Sequence, residues 1–89
     1  MEKFYELAYE HLEEEIEDAC EYLREADEAH EAGKKYLASG LRKVAMDEYT
    51  HAHFLREYLM TKGAYHDHVN HAKIEEHWHK LRSKLGLEA

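Results

Sequence analysis

The sequence contains no proline, only four glycines and a single cysteine among its 89 residues. A proline inside a helix removes a backbone hydrogen bond and tends to end the helix, so its absence permits long uninterrupted helices. A lone cysteine, Cys20, cannot form a disulfide within the chain, which fits either a reducing compartment or a protein indifferent to the redox state of its compartment. We therefore expect a cytoplasmic protein whose stability comes from packing.

Long apolar runs and positive charge are also scarce. No segment approaches the roughly 18 apolar residues of a membrane-spanning helix, and residues 1–3 lead into no apolar signal core. The 20 acidic side chains outnumber the 12 basic ones, and the net charge of −8 repels the phosphates of nucleic acids. The sequence thus predicts one domain over residues 1–89 that binds neither membranes nor nucleic acids.

The residues that are abundant, namely Ala, Leu, Glu, Lys and Arg, predict an all-α fold. Gly33, Gly63 and Gly86 each follow a helical pattern and favour the left-handed conformation that ends a helix. We expect helices over residues 3–31, 35–61 and 66–85. Gly40 lies inside the second helix, where it either permits a close helix crossing or marks a later start at Ser39.

The first two helices are each about 40 Å long, and the short link at Gly33 predicts that they form an antiparallel hairpin. Such a hairpin cannot cover its own apolar face. Either the third helix closes a three-helix bundle, or two chains pair their hairpins into a four-helix bundle. Because the third helix is shorter and would leave part of the face open, we expect a homodimer or a higher homo-oligomer.

Each long helix carries charged residues midway along its apolar stripe. At steps of three and four residues, the second helix places Glu48 and His51 there, and the first places Glu15. The stripe of the second helix comprises Leu37, Leu41, Val44, Glu48, His51, Leu55 and Tyr58. The stripe of the first helix comprises Tyr5, Ala8, Leu12, Glu15, Ala19, Tyr22 and Ala26. A buried charge is unfavourable unless it is paired or binds a metal. Two simpler interpretations are a rotated helix that exposes these groups and a Glu–His ion pair without metal.

The same residues predict a carboxylate-bridged di-metal site. Glu48 and His51 lie one helical turn apart, and oxygen ligands with few imidazoles suit iron or manganese. One hairpin offers two carboxylates and one histidine, which are too few for two metals. Two hairpins related by a twofold axis offer four carboxylates and two histidines. The ligand number and the open hairpin face therefore both indicate a dimer.

Glu15 is followed seven residues later by Tyr22, and the segment Glu48-Tyr49-Thr50-His51-Ala52 begins 33 residues after Glu15. In these residues and in the link at Gly33, the chain resembles the ferritin-like superfamily, and its rubrerythrin branch most closely, over residues 5–60. The resemblance implies that Glu15 is a terminal metal ligand and that Glu48 bridges two metals. It also implies that His51 completes the shell of one metal, and that Tyr22 hydrogen-bonds a ligand carboxylate in the catalytic site.

Rubrerythrins carry a second hairpin and a four-cysteine iron domain, and this sequence contains neither. A half-length chain that completes its site by dimerising looks more like the encapsulated ferritins. The resemblance implies a di-iron protein, with two irons per dimer or manganese in their place, that oxidises Fe(II) with oxygen or peroxide. Four neighbouring acids leave open which residue of the first helix is the ligand. They are Glu13, Glu14, Glu17 and Asp18.

The third helix carries five histidines between His66 and His79. The spacing of His71 from Asp67, or from Glu75, suits a metal site. An alternative function is therefore non-enzymatic binding or sensing of zinc, nickel or copper. A further alternative is a metal-free dimerisation module in which Glu48 and His51 form a buried polar pair that sets the register.

Overall fold

The computed structural model describes residues 2–88, and its regular structure is helical throughout this range. Helix α1 spans Lys3–Glu31 and helix α2 spans Lys35–Thr61; a short 3-10 helix at Tyr65–Asp67 precedes helix α3 at His71–Lys84. The bounds of α1 and α2 coincide with those expected from the sequence. Helix α3 begins at His71 instead of residue 66, so the third expected boundary is wrong by five residues.

Glycine at position 33 allows the tight turn between α1 and α2. Gly33 has a φ of +79°, which is a left-handed backbone conformation. Glycine adopts it readily, whereas it is unfavourable for residues that have a Cβ atom. The amide of Lys34 donates to the carbonyl of Ala29 at 2.8 Å, and the amide of Gly33 donates to that of His30 at 3.0 Å. These bonds satisfy the last carbonyls of α1 and return the chain antiparallel to itself.

Alanines form much of the contact between α1 and α2. Both helices bury them almost completely, at Ala8, Ala19, Ala26 and Ala29 on α1 and at Ala38, Ala45 and Ala52 on α2. Because the distance between two packed helices depends on the side chains at their contact, small residues bring the two backbones close together. Larger apolar residues of α1, among them Leu12, Ile16 and Leu23, complete the core.

Helix α3 covers one face of the hairpin. Its buried residues are Ile74, Trp78 and Leu81, and the Trp78 ring stacks on the Tyr49 ring of α2 at 4.9 Å between centroids. With 14 residues, α3 is about 21 Å long, roughly half the length of the hairpin. The opposite face of the hairpin has no cover within residues 2–88.

The late start of α3 has a local cause at His68. The backbone is extended there, with φ −77° and ψ 142°, and the His68 ring stacks on the Tyr9 ring at 4.0 Å between centroids. The Nδ1 atom of His68 accepts a hydrogen bond from the amide of Asn70 at 3.0 Å. A side chain that bonds nearby backbone in this way competes with helix formation. Helical spacing alone therefore placed the start of α3 too early.

Helix α2 is rotated by about one residue from the expected orientation. Its most buried positions are Ala38, Ala45, Tyr49, Ala52 and Leu59. Most residues of the expected stripe are half-buried, and Leu37 and His51 are exposed. Alanines occupy three of these five buried positions, and the larger side chains of Leu41, Val44, Leu55 and Tyr58 lie at the edge of the α1–α2 contact. These residues form the open face of the hairpin, which we define as Leu41, Val44, Glu48, His51, Leu55 and Tyr58 of α2 together with Glu15 and Tyr22 of α1.

Replacing Gly40 with Ala is expected to stabilise the protein by about 0.5–1 kcal/mol, because glycine costs this much inside a helix. Helix α2 runs without a break through Gly40, which is exposed, and nothing lies within 4 Å of the position that its Cβ would take. Urea unfolding followed by far-ultraviolet circular dichroism measures the change. The matched control is Gly33→Ala, which should destabilise the protein because of the left-handed backbone there. A Gly40→Ala variant no more stable than the parent would contradict a continuous α2.

Candidate metal centre

Three side chains converge at mid-length of the hairpin. Glu15 is the 13th of 29 residues in α1, and Glu48 is the 14th of 27 in α2. One ligand atom each of Glu15, Glu48 and His51 lies within 4.8 Å of the other two. Within residues 2–88 this is the one group of three or more potential metal-ligating side chains that meets this distance. The structure therefore brings together the three metal ligands expected from the sequence.

The choice among the neighbouring acids of α1 is also made by the fold. Glu14, Glu17 and Asp18 are exposed, and Glu13 and Glu17 face Lys73 and His77 of α3, on the side of the helix away from Glu15. Glu15 alone among these acids belongs to the cluster with Glu48 and His51.

The Glu15 carboxylate has an unsatisfied oxygen. Its Oε2 atom is buried and has no hydrogen-bond partner among residues 2–88; the Nδ1 atom of His51 lies 3.4 Å away without forming a hydrogen bond. The Glu15 side chain is only 23% exposed. A buried carboxylate oxygen without a donor is unfavourable by about 1–3 kcal/mol or more. A bound cation would satisfy it, so this residue set fits a metal site.

The second carboxylate lies close enough to share a proton with the first. The neighbouring carboxylate of Glu15 raises the pKa of the Glu48 carboxyl above its ordinary value, and partial burial raises it further. Two carboxylates this close repel each other when both are ionised. Either a proton or a metal cation between them relieves that repulsion.

Within the single chain, Tyr22 lies apart from the two carboxylates of the cluster, so the hydrogen bond that the resemblance implies stays a prediction. Its ring is half-buried against the core, and within residues 2–88 its hydroxyl bonds neither Glu15 nor Glu48. Seven residues of helix separate Tyr22 from Glu15, about 10 Å along the axis. The structure thus brings three of the four expected site residues together and leaves Tyr22 apart from them.

A second polar cluster joins α2, the 3-10 helix and α3. The Arg56 guanidinium donates to both oxygens of Glu75, at 2.7 Å and 3.3 Å, and the Tyr65 hydroxyl donates to the same carboxylate. Nε2 of His79 lies 3.1 Å from it. Sequence reasoning missed this cluster, because nothing in the spacing of Arg56 and Glu75 shows that they meet.

These contacts correct one expected pairing. Glu75 was expected to be able to bind a metal with His71, but its oxygens are occupied by Arg56, Tyr65 and His79. Burial opposes ionisation of Glu75, yet the hydrogen bonds from Arg56 and Tyr65 outweigh it and lower the pKa to about 2. His71 instead lies against His66. His71 and Asp67 belong to no group of three ligands within residues 2–88.

The sequence matches no protein-family model, and comparisons with curated proteins and with solved structures found no match. Among the helices of residues 2–88, none combines the length and the apolar character needed to cross a membrane. Function is therefore inferred from the geometry of the candidate metal centre.

Replacing Glu75 with Gln is expected to destabilise the protein by about 2 kcal/mol at neutral pH, since one pKa unit corresponds to about 1.4 kcal/mol and the group is partly solvated. The folded-state pKa of Glu75 is lowered from 4.5 to about 2. Its contribution is therefore complete above pH 4.5 and is lost as the pH falls towards 2.

Urea unfolding at a series of pH values measures this effect. The parent should lose stability between pH 4.5 and 2 more steeply than Glu75→Gln does. Glu76→Gln is the control, because Glu76 is exposed and pairs only with the exposed Lys80. Equal slopes in the parent and in Glu75→Gln would show that Arg56 and Tyr65 do not stabilise the ionised carboxylate.

Proposed function

We propose that this protein is a ferritin-like homodimer that holds a carboxylate-bridged dinuclear metal centre, with iron as the metal, and that it oxidises Fe(II). The observation that carries the proposal is the buried, unpartnered oxygen of Glu15 beside Glu48 and His51. A cation is the simplest partner for such an oxygen next to a second carboxylate and an imidazole.

The number of ligands supports a site shared between two chains. One chain offers two carboxylates and one imidazole, whereas dinuclear centres in helical bundles use four carboxylates and two histidines. Because Glu15 and Glu48 lie near the midpoints of their helices, a twofold axis beside them lets two hairpins overlap along their full length.

The surroundings of the cluster support the same arrangement. Leu41 and Val44 flank Glu48 on one side, and Leu55 and Tyr58 flank it on the other, and all four are half-buried. Helix α3 contacts α2 through Tyr49 and Arg56, which lie on a ridge about 100° around the helix from Glu48. A second copy could therefore pack on the open face without displacing α3.

The donor set suits iron. Carboxylate oxygens with one imidazole per metal prefer iron or manganese, while zinc sites more often use nitrogen and sulfur. Each Fe(II) ion would give up one electron and become Fe(III), with oxygen or peroxide as the electron acceptor. Glu15 and Glu48 would bind the ion and neutralise the additional positive charge that oxidation produces, and His51 would hold the ion in place.

An anaerobic titration with Fe(II) tests the centre. We expect saturation near one iron per chain, followed on adding air by near-ultraviolet absorbance of a ferric product. Glu48→Ala and His51→Ala should lose this binding, since each removes a ligand. Glu14→Ala is the matched control, because Glu14 is an exposed acid next to Glu15. Iron retained by Glu48→Ala would contradict the proposal, as would a parent protein that dimerises and binds no iron.

The dimer is tested by sedimentation velocity. Leu55→Glu should raise the dimer dissociation constant about a hundredfold or more, because a charge buried at an apolar interface costs several kcal/mol. Val69→Glu is the control, since Val69 is 91% exposed in the segment before α3. A parent chain that is monomeric in the presence of iron would contradict a shared centre.

A further inference from the structure

Two histidines meet where the 3-10 helix leads into α3. The Nδ1 atom of His66 lies 3.0 Å from the Nε2 atom of His71, and the two rings are 4.4 Å apart between centroids. Thr61, where α2 ends shortly before His66, lies 13 residues beyond Glu48, about 20 Å along the helix. The histidine pair is therefore a feature separate from the candidate metal centre.

Both rings rest on a buried aromatic side chain. The Tyr65 ring is fully buried, and its centroid lies 5.4 Å from that of His66 and 4.7 Å from that of His71, in edge-to-face contacts. Tyr65 is itself held by its hydrogen bond to Glu75 and by the guanidinium of Arg56 over its ring. The two imidazoles thus have a fixed support, and His66 is exposed to solvent.

The separation of the two nitrogens matches that of neighbouring ligands of one metal ion. Bonds of about 2.05 Å to one ion place two nitrogens about 2.9 Å apart at a right angle and about 3.3 Å apart at a tetrahedral angle. The observed 3.0 Å is closer to the right angle. Right angles between nitrogen ligands are typical of Cu(II) and Ni(II).

The other nitrogen of His71 restricts which ions fit. Its Nδ1 atom is buried and has no hydrogen-bond partner among residues 2–88. An ion bound at Nε2 would leave the ring proton on this buried Nδ1, where no acceptor lies among residues 2–88, and the unsatisfied donor opposes binding. Only ions with a high affinity for imidazole, which among the divalent first-row metals are the late ones such as Ni(II) and Cu(II), overcome the cost of this unsatisfied N–H group.

We propose that His66 and His71 form a two-imidazole site for a late divalent transition metal, Cu(II) or Ni(II), with water as the remaining ligands. The site is independent of the proposed iron centre, because it shares no residue with it. It differs from the pairings of His71 with Asp67 or Glu75 that helical spacing suggests, since the turn before α3 brings His66 to His71 instead.

Calorimetric titration of the full chain with Ni(II) tests the proposal. His66→Ala and His71→Ala should each weaken the tightest binding about tenfold or more, because each removes the second arm of a chelate. The double variant should bind no more weakly than either single one, since one remaining imidazole contributes little alone. His11→Ala is the control, because His11 is an exposed histidine of α1.

Two results would overturn the proposal. One is that His66→Ala and His71→Ala weaken Ni(II) binding no more than His11→Ala does. The other is that the double variant weakens Ni(II) binding by the product of the two single fold-changes, as two independent sites would. Because His66 is exposed, His66→Ala gives a valid answer even if His71→Ala unfolds α3. Ni(II) binding should persist in His51→Ala, and Fe(II) binding should persist in His71→Ala, so failure of one site is distinguished from failure of the other.

Discussion

Close packing of α1 against α2 through alanines determines the position of the candidate metal ligands. Glu15 comes from one helix and His51 from the other, and their side chains lie 3.4 Å apart because the two backbones can approach closely. Larger residues at Ala19 or Ala52, both fully buried, would push the helices apart and separate the ligand atoms. The same packing leaves the larger apolar side chains of α2 at its edge, where they form the open face.

Helix α3 adds Ile74, Trp78 and Leu81 to the core and is held by polar as well as apolar contacts. Trp78 stacks on Tyr49, while Glu75 accepts two hydrogen bonds from Arg56 and one from Tyr65. A partly buried ion pair with this many hydrogen bonds favours one docking geometry, because a shifted helix would leave its charges unpaired. This arrangement fixes α3 on one side of the hairpin, and within residues 2–88 nothing covers the other side.

The open face combines features that oppose each other in an isolated chain. Half-buried Leu41, Val44 and Leu55 favour contact with another apolar surface, whereas the neighbouring carboxylates of Glu15 and Glu48 repel each other and resist further burial. A cation between the carboxylates would remove this conflict. Proteins tolerate such local conflicts where they serve a function, because the rest of the fold supplies the stability.

The sequence by itself determined the helical class, the bounds of α1 and α2 and the one-turn spacing of Glu48 and His51, because composition, glycine positions and spacing along a helix are local properties. Which acid of α1 lies beside them was decided by the fold. Only the tertiary structure decided the rotation of α2, the late start of α3 and the pairing of Glu75 with Arg56. Neighbouring stripes on a helix differ by about 100°, so a pattern with apolar residues on both cannot show which one is buried. The rotation of α2 depends on its alanine contacts with α1, and the late start of α3 depends on the stacking of His68 on Tyr9; both are contacts between residues distant in sequence.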